Sequence, residues 1–371
     1  MITFFLYSSL LLLAITLANV FLWPRVRRAG TMEAGVVSVL IPARNEELNL
    51  PACLDAVMGQ GEVVGQILIY DDHSSDGTAL VIDRYCRQEP RLARVQCRTI
   101  EPGWTGKNFA CAELAKVATG RYLLFLDADA RLEPLAVDAL RQEMVSRDLQ
   151  FLSCWPGLIM VSTWEKVLMP MLNFVVFSIF PGPLSLYFSY PSLALAHGAC
   201  LLIERKSYFE IGGHRAVRDQ IFEDTRLAQL WRMRGRRGLC LDGQRIVRVR
   251  MYSKLDEIWR GFEKNFYPAF QSDLSFWAFI IFHLVAVLLP FAWVLFDRDR
   301  RLLVAISSIL TVRLLLAQRF GQPRWSFIIH PFAEMMLIAL GVTSWWRCKT
   351  GRGVSWKGRI YHGNPDKPVG S

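Results

Sequence analysis

Charged side chains are missing from the first stretch of this 371-residue chain, although the whole protein carries a net charge of +10. Residues 2–23 contain no Asp, Glu, Lys or Arg, and an apolar run of this length can cross a hydrocarbon core as one helix. The run also lacks the basic start and the small-residue cleavage site of a secretory signal. We therefore expect residues 1–24 to form a transmembrane anchor that stays on the protein.

The cysteines lack any pattern of pairing. Eight are scattered singly, without a C-x-x-C pair or a histidine at ligand spacing, which argues against a zinc site and a disulfide framework. A reducing compartment explains this usage most simply. Arg25, Arg27 and Arg28 follow the anchor and nothing basic precedes it, so the positive-inside rule predicts that the chain after the anchor begins in the cytoplasm.

A second charge-free region covers residues 167–203, where four prolines interrupt the apolar sequence. Prolines at this density disfavour one straight spanning helix. One alternative is an ordinary core segment. We favour the other, in which residues 164–203 form short helices in the membrane interface, with Trp164, Tyr187 and Tyr190 near the headgroups. If this region crossed the membrane once, Asp129 and Asp224 would lie in opposite compartments and could not share a site.

Three apolar segments follow within residues 274–346, namely 274–296, 302–317 and 325–346. If all three crossed the membrane together with the anchor, the basic tail 347–371 would lie outside, against the positive-inside rule. Segment 302–317 is short and contains Arg313, so we expect it to be the one that does not span fully.

Between these apolar regions, strand-like and helix-like patterns alternate. Residues 36–41, 66–70 and 122–126 have the continuous apolar pattern of buried strands, and helices are predicted after the second strand, through Arg87, and over 108–118. This alternation predicts a parallel α/β sheet that is covered on both faces. Ligands of such sheets bind beyond the carboxyl ends of the strands.

Polar clusters stand at that edge of the predicted sheet. PARNEE follows the first strand, DDHSSDGT ends the second, and DADA ends the third. In an extended chain Asp127 and Asp129 point the same way, and two like charges on one side repel unless something positive or water separates them. A lone D-x-D also fits a solvated turn, but three polar clusters at one edge indicate a binding site.

The order and spacing of six motifs resemble a membrane-bound family 2 glycosyltransferase of the GT-A type. These motifs are IPARNEE (41–47), DDHSSDGT (71–78), GWTGKNFA (103–110), DADA (127–130), HGACLLIERKSYFEIGGH (197–214) and FEDTRLAQ (222–229). The GW-x-GK stretch, EIWRGFEKN (257–265) and VSWKGRIY (354–361) are similar to the subgroup that acts on carotenoids, of the chlorobactene or diaponeurosporenoate type, and to hopanoid-associated relatives.

The resemblance implies a fold and a set of roles. It implies a Rossmann-like, mostly parallel GT-A sheet in a cytoplasmic catalytic domain over residues 36–271, between N- and C-terminal transmembrane helices. Asp127 and Asp129 would hold Mg²⁺ or Mn²⁺ against the diphosphate of a nucleotide sugar, and Asp224 would be the catalytic base of a single displacement. The nucleotide-sugar side would comprise Pro42, Arg44, Glu46, Asp71, Asp72, Lys107 and Asp127. The acceptor side would comprise His197, Gly198, Ala199, Glu223, Trp259 and Arg260.

The expected function is an inverting transfer of one sugar from a nucleotide donor to a hydroxyl or carboxyl of a membrane lipid such as a carotenoid. The expected donor is UDP-glucose. Hopanoid, polyprenyl-phosphate and polysaccharide acceptors are the alternatives. The Q-x-x-R-W motif of processive synthases is missing, because Trp259 and Arg260 stand in reversed order without the glutamine. A non-catalytic membrane scaffold is disfavoured because the three motif aspartates are intact.

Further absences narrow the class of protein. PARNEE is not the Gly-rich loop that a nucleotidyltransferase would need after its first strand. The arginines between Arg226 and Arg250 follow no nucleic-acid-binding motif, so an anionic lipid surface or a diphosphate explains the positive charge better. We expect a multi-pass protein of the inner cell membrane, with the catalytic domain in the cytoplasm.

Overall fold

The computed structural model describes residues 1–27, 34–270 and 272–350, and the backbone of 354–356 and 359–361. Arg28 and the side chains of residues 351–371, including those of the VSWKGRIY motif, lie outside this description. The strands are β1 (Val37–Ala43), β2 (Val64–Asp71), β3 (Leu92–Val95), β4 (Tyr122–Leu126), β5 (Ala130–Leu132), β6 (Phe151–Trp155), β7 (Gly157–Leu158), β8 (Cys200–Glu204), β9 (Gly238–Asp242), β10 (Val247–Val249), β11 (Val354–Trp356) and β12 (Arg359–Tyr361).

The α-helices surround the sheet and extend beyond it. They are α1 (Ile2–Leu22), α2 (Leu50–Met58), α3 (Thr78–Gln88), α4 (Gly106–Val117), α5 (Ala136–Ser146), α6 (Thr163–Ile179), α7 (Arg205–Glu210), α8 (Glu223–Met233), α9 (Leu255–Phe266), α10 (Asp273–Phe282), α11 (Leu289–Trp293), α12 (Arg300–Arg319) and α13 (His330–Lys349). A π-helical turn, His283–Leu288, joins α10 to α11 into one continuous helix.

The central sheet has seven strands in the order β3-β2-β1-β4-β8-β6-β9. Only β8 runs antiparallel to its neighbours, β4 and β6; the other described pairs of this sheet are parallel. The apolar runs of β1 and β4 are buried on both faces, as strands covered by helices require. The predicted mostly parallel α/β fold is confirmed.

The elements predicted from local pattern are present. β1, β2 and β4 correspond to the three predicted strands, and α3 and α4 to the two predicted helices. Just before α3 the Asp76 carboxylate accepts hydrogen bonds from the backbone N–H and the hydroxyl of Thr78, the first residue of the helix, while the N-cap residue itself is Gly77. A small second sheet, β5-β10-β7, follows Asp129 and leads into α9.

Three helical segments are long and apolar enough to cross a membrane: Ile2–Leu22, Asp273–Trp293 and Arg300–Arg319. The segment that the sequence made doubtful, 302–317, lies inside α12 and meets this criterion, because the helix extends beyond the apolar core in both directions. In the described chain, α13 is not among these segments. Of the three apolar segments near the C-terminus, 325–346 rather than 302–317 is therefore the one that does not meet the criterion for crossing.

Ion pairs lie at the ends of several of these helices. Arg25, just after α1, and Arg319, at the end of α12, contact the same oxygen of Asp242 at 3.2 and 2.7 Å. Asp242 is the last residue of β9, so α1 and α12 both end beside the central sheet. Lys349 at the end of α13 lies 2.8 Å from Asp273 at the start of α10.

The proline-interrupted region divides into two parts. α6 is mostly buried against α1, α12 and α13, and Asn19 of α1 donates hydrogen bonds to the carbonyls of Phe177 and Phe180. This part is thus one buried helix of 17 residues, where short helices were expected. After α6 the chain forms two short 3₁₀ turns and leaves the rings of Tyr187 and Tyr190 largely exposed. For this second part, contact with the membrane interface stays a prediction.

Candidate active site

A cavity of about 750 Å³ opens at the carboxyl ends of β1, β2 and β4. Most of the site residues predicted from the sequence line it: Pro42, Arg44, Glu46, Asp72, Lys107, Asp127, Asp129, His197, Gly198, Glu223 and Asp224. The sheet therefore brings together motifs that are separated by nearly half of the chain. Of the predicted residues, Asp71, Ala199, Trp259 and Arg260 are not among the described residues that line it.

The loops after β1 and β2 are tied together and form one wall of the cavity. The Arg44 guanidinium donates to the carbonyl of Asp72 at 2.6 Å, and the backbone N–H of Glu46 donates to the Thr78 hydroxyl at 2.8 Å. Asn45 adopts a φ of +53°, a left-handed conformation that asparagine tolerates better than most residues. These bonds hold Arg44, Glu46 and Asp72 in place at the entrance to the site.

Asp71 and Asp72 face different surroundings. Asp71 pairs with Arg94 of β3 at 2.9 Å and accepts a hydrogen bond from the backbone N–H of Ser74. Asp72 is buried and lines the cavity. Consecutive residues at a strand end point to opposite sides, which accounts for the split. The expected nucleotide contact fits Asp72, while Asp71 stabilises the loop.

Lys107 connects the two acidic motifs. It lies in the first turn of α4, and its ammonium is 2.8 Å from Asp127 Oδ1 and 2.9 Å from Glu223 Oε1. Burial lowers the pKa of Lys107, but the two carboxylates outweigh this and raise the pKa well above its ordinary value. Lys107 is therefore a fixed positive charge between the D-x-D motif and the FED motif.

Glu223 and Asp224 have pKa values that their surroundings push apart. Burial, and then the charge of Glu223, raises the pKa of Asp224 to about 7, although Lys107 acts in the opposite direction. Burial also raises the pKa of Glu223, but Lys107 and Lys264 outweigh it, so this pKa lies below its ordinary value. One carboxylate thus stays ionised, while its neighbour can exchange a proton near neutral pH.

His197 and Gly198 complete this end of the cavity. Burial, and then the charge of Lys107, lowers the pKa of His197 to about 4, so the imidazole is neutral at physiological pH. Its ring packs perpendicular to Trp155 with centroids 5.2 Å apart. At Gly198 an added Cβ would lie 3.1 Å from Lys107 Nζ and 3.3 Å from Asp224 Oδ2. Glycine therefore lets the Lys107 ammonium and the Asp224 carboxylate both lie close to this backbone position.

Asp127 and Asp129 are the residues that fit a divalent cation. Both line the cavity, and carboxylate oxygens are what Mg²⁺ and Mn²⁺ prefer. Within residues 1–27, 34–270 and 272–350, no cluster of three His, Cys, Asp or Glu side chains has metal-binding geometry. A cation bound by one or two carboxylates together with substrate phosphates suits such a site.

The same cavity continues as an apolar arm among the helices outside the sheet. We use this name for its lining side chains from α6, α9 and α10 and from the turn before α10: Leu172, Val175, Val176, Ile179, Phe262, Phe270 and Phe279. Helices α6 and α10 belong to the helical region that includes the candidate membrane spans. One continuous space therefore joins the buried carboxylates to an apolar surface.

The two residues of α9 that were predicted for the acceptor side do not line the cavity. Arg260 is exposed and pairs with Asp256 at 3.7 Å, and Trp259 lines a separate surface groove. The residues of this helix that reach the cavity are Phe262, Lys264 and Asn265. A usable signal existed in the sequence: Ile258 and Phe262 are apolar and four residues apart, so they mark one face of the helix, and Asn265 lies on the same face.

The amino-acid sequence of this chain is similar to those of known proteins. Residues 38–212 match the sequence model of the family described as Glycosyl transferase family 2. Two proteins of Staphylococcus aureus, from strains MRSA252 and USA300, are each named 4,4'-diaponeurosporenoate glycosyltransferase. Both are 25% identical to this chain over 345 residues, which is 88% of this chain and 88% of each relative.

A solved structure has the same fold over nearly the whole chain. It is a mannosyltransferase from Pyrobaculum calidifontis in complex with GDP-Man and Mn²⁺, with a TM-score of 0.56 and 17% identity, covering 92% of this chain and 96% of that one. At this identity the similarity demonstrates the fold alone. The resemblance found in the sequence is confirmed: residues 38–212 match glycosyl transferase family 2, and the chain is a glycosyltransferase.

Proposed function

We propose that this enzyme transfers one sugar from a nucleotide sugar to a membrane lipid, with inversion at the anomeric carbon. The observation that carries the proposal is the single cavity in which Asp127, Asp129 and Asp224 meet the apolar arm. A lipid can place its tail among these apolar side chains and its reacting group beside Asp224. The names of the Staphylococcus aureus relatives favour a carotenoid-type acceptor.

The chain's own residues account for the transfer step. Asp224 accepts the proton of the acceptor as the acceptor oxygen attacks the anomeric carbon, and its pKa of about 7 suits a base at neutral pH. Lys107 supplies positive charge beside the diphosphate leaving group. A Mg²⁺ or Mn²⁺ ion held by Asp127 and Asp129 would neutralise further charge on the departing diphosphate. The metal-bound mannosyltransferase structure is consistent with this choice.

The donor is proposed as UDP-glucose, held along the first two loops by Arg44, Glu46 and Asp72.

The catalytic domain is proposed to lie in the cytoplasm. If α1, α10 with α11, and α12 each cross the membrane once, the N-terminus lies outside and the basic tail after α13 lies in the cytoplasm. This arrangement agrees with the positive-inside rule. The joint contact of Arg25 and Arg319 with Asp242 supports this arrangement, because α1 and α12 would then end on the same side.

The test is incubation of membranes containing the enzyme with labelled UDP- and GDP-sugars, followed by mass analysis of the extracted lipids. We expect one labelled lipid of fixed size; a ladder of products would indicate a polymerising synthase instead. Asp224→Asn should lower transfer by about 10²–10⁴-fold while UDP still binds in the presence of Mn²⁺. Asp129→Asn should weaken both. Asp148→Asn, an exposed surface change, is the matched control.

If Asp224→Asn loses UDP affinity as severely as Asp129→Asn, the assignment of the base is wrong. Absence of any labelled lipid with every donor, in membranes where the enzyme is folded and binds UDP, would count against a lipid acceptor.

A further inference from the structure

Asn108 directly follows Lys107 in the first turn of α4, and its side chain is fully buried. Its amide nitrogen donates hydrogen bonds to the carbonyls of Val217 at 2.7 Å, of Gln220 at 2.9 Å and of Arg218 at 3.3 Å. Carbonyl oxygens only accept hydrogen bonds, so the nitrogen and not the oxygen of the amide faces them. One side chain therefore binds three backbone positions of a segment that is distant in sequence.

The segment that Asn108 binds, residues 217–220, leads into α8, whose first two residues are the carboxylates of the FED motif. The N-cap residue of α8 is Phe222, whose apolar side chain cannot cap the helix. A second bond from the start of α4 reaches the same segment, because the backbone N–H of Thr105 donates to the carbonyl of Arg218 at 2.8 Å. The chain is therefore attached to the start of α4 just before the two carboxylates.

Lys107 reaches the same part of the protein through its charge. Its ammonium lies 2.9 Å from Oε1 of Glu223, the first residue of α8. This attraction weakens as the distance between the charges grows, so it depends on the separation of the two helix starts. The lysine stem is long and flexible and does not hold backbone in place. The short amide of Asn108, bound to three carbonyls, supplies this constraint.

We infer that Asn108 is a positioning residue for sugar transfer. By holding residues 217–220 against α4, it sets where the two carboxylates of the FED motif lie relative to Lys107. Asn108 is not among the described residues that line the cavity, so it acts through its neighbours and not on the substrate. This inference rests on the roles proposed for Lys107 and Asp224 and extends them to a residue behind the cavity wall.

A double-mutant cycle with Asp224→Asn tests the inference on the full-length enzyme in membranes. Alone, Asn108→Ala should lower kcat for labelling of the lipid on the order of 10²-fold, while UDP binding with Mn²⁺ stays near normal. Once the base is removed its position no longer matters, so adding Asn108→Ala to Asp224→Asn should cost little more. If the two losses multiply, or if Asn108→Ala weakens UDP binding as much as turnover, the inference is wrong.

Asn19→Ala is the matched control. Asn19 is also a buried asparagine whose amide nitrogen donates to backbone carbonyls, those of Phe177 at 2.8 Å and Phe180 at 2.7 Å, but it belongs to α1. Its loss removes the same kind of bond at a place that does not lead into the FED motif. Any loss of kcat that Asn19→Ala causes should be equally large with and without Asp224→Asn.

Hydrogen exchange of the backbone amides over residues 217–224 gives a second measurement that needs no lipid acceptor. Exchange should be faster in Asn108→Ala than in the wild type and unchanged in Asn19→Ala. Asn108→Ser keeps one donor on a shorter side chain and replaces Asn108→Ala in both experiments if that variant does not fold. Unchanged exchange in the Asn108 variant overturns the inference. If the proposed function fails instead, wild-type enzyme that binds UDP yields no labelled lipid, while the faster exchange is still observed.

Discussion

The ammonium of Lys107 lies 2.8 Å from Oδ1 of Asp127, so a lysine at the start of one helix is paired with the first carboxylate of the D-x-D motif. The same ammonium lies 2.9 Å from Glu223, which precedes the proposed base. The charge of one lysine therefore acts on both ends of the site. A change at the donor end should be detected at the base.

Replacing Lys107 tests this connection. Lys107→Met removes a charge that lowers the pKa of Asp224, so this pKa should rise further and the acid limb of the pH–rate profile should move to higher pH. The profile of kcat/KM against pH measures the shift. Lys116→Met, which removes an exposed lysine from the same helix, is the control and should leave the profile in place. An unchanged profile in Lys107→Met would refute the connection.

The raised pKa of Asp224 predicts how the wild-type enzyme responds to pH. The base must be deprotonated to act, so activity is present above the pKa and is lost as the pH falls through about 7. Below that point kcat/KM should fall by about tenfold for each pH unit. In Asp224→Asn the residual activity should not follow this limb. A wild-type profile that stays flat down to pH 5 would contradict a raised pKa.

Gly198 is predicted to be intolerant of a methyl group. In Gly198→Ala the new Cβ would meet Lys107 Nζ at 3.1 Å and Asp224 Oδ2 at 3.3 Å, so one of them must move. Small misplacement of reacting groups can cost on the order of 10²-fold in rate, and we expect a loss of this size with little change in melting temperature. Gly59→Ala, where the nearest atom is 3.5 Å away, is the control.

Filling the apolar arm should affect the lipid and spare the nucleotide. Val176→Trp places a larger ring among the lining side chains, and overpacking of about 1–3 kcal/mol corresponds to roughly 5- to 150-fold in affinity. We expect KM for the lipid to rise while UDP affinity stays normal. Val145→Trp, on the exposed end of α5, should change neither. Equal loss of UDP affinity in Val176→Trp would place the nucleotide, not the lipid, in this arm.

A buried polar contact in the helical region should matter for stability. His283 Nδ1 lies 2.6 Å from Glu334 Oε1, both side chains are buried, and the charge of Arg313 also acts on Glu334. Removal of one partner from a buried charged contact costs about 3–5 kcal/mol. We expect Glu334→Ala to lower clearly the melting temperature of the protein purified in detergent. Met335→Ala, at an exposed position of the same helix, should have little effect.

Local pattern determined the framework of the site. The apolar runs of β1, β2 and β4, and the polar residues that end them, follow from short-range rules: a buried strand needs a continuous apolar run, and its carboxyl end is where ligands bind. Asp127, Asp129 and Asp224 were identified through motifs whose residues are neighbours in sequence. For these residues the tertiary structure added distances but did not change the choice.

Only the tertiary structure decided which of two adjacent residues faces the site. Asp71 and Asp72 are equivalent in the sequence, yet one pairs with Arg94 and the other lines the cavity. On α9 the cavity receives Phe262 and Lys264, while Arg260 is exposed. The direction of a side chain depends on the packing of the whole element, which a short motif does not specify.

The apolar arm and the bridging position of Lys107 were likewise decided by distant contacts. β8 runs antiparallel between β4 and β6, and this places Gly198 beside Lys107 although many residues separate them in sequence. α6 and α10 line one cavity although most of the acceptor-side residues lie between them in sequence. Periodicity reports which face of an element is buried, but not which other element covers it, because that choice is made by packing over long sequence separations.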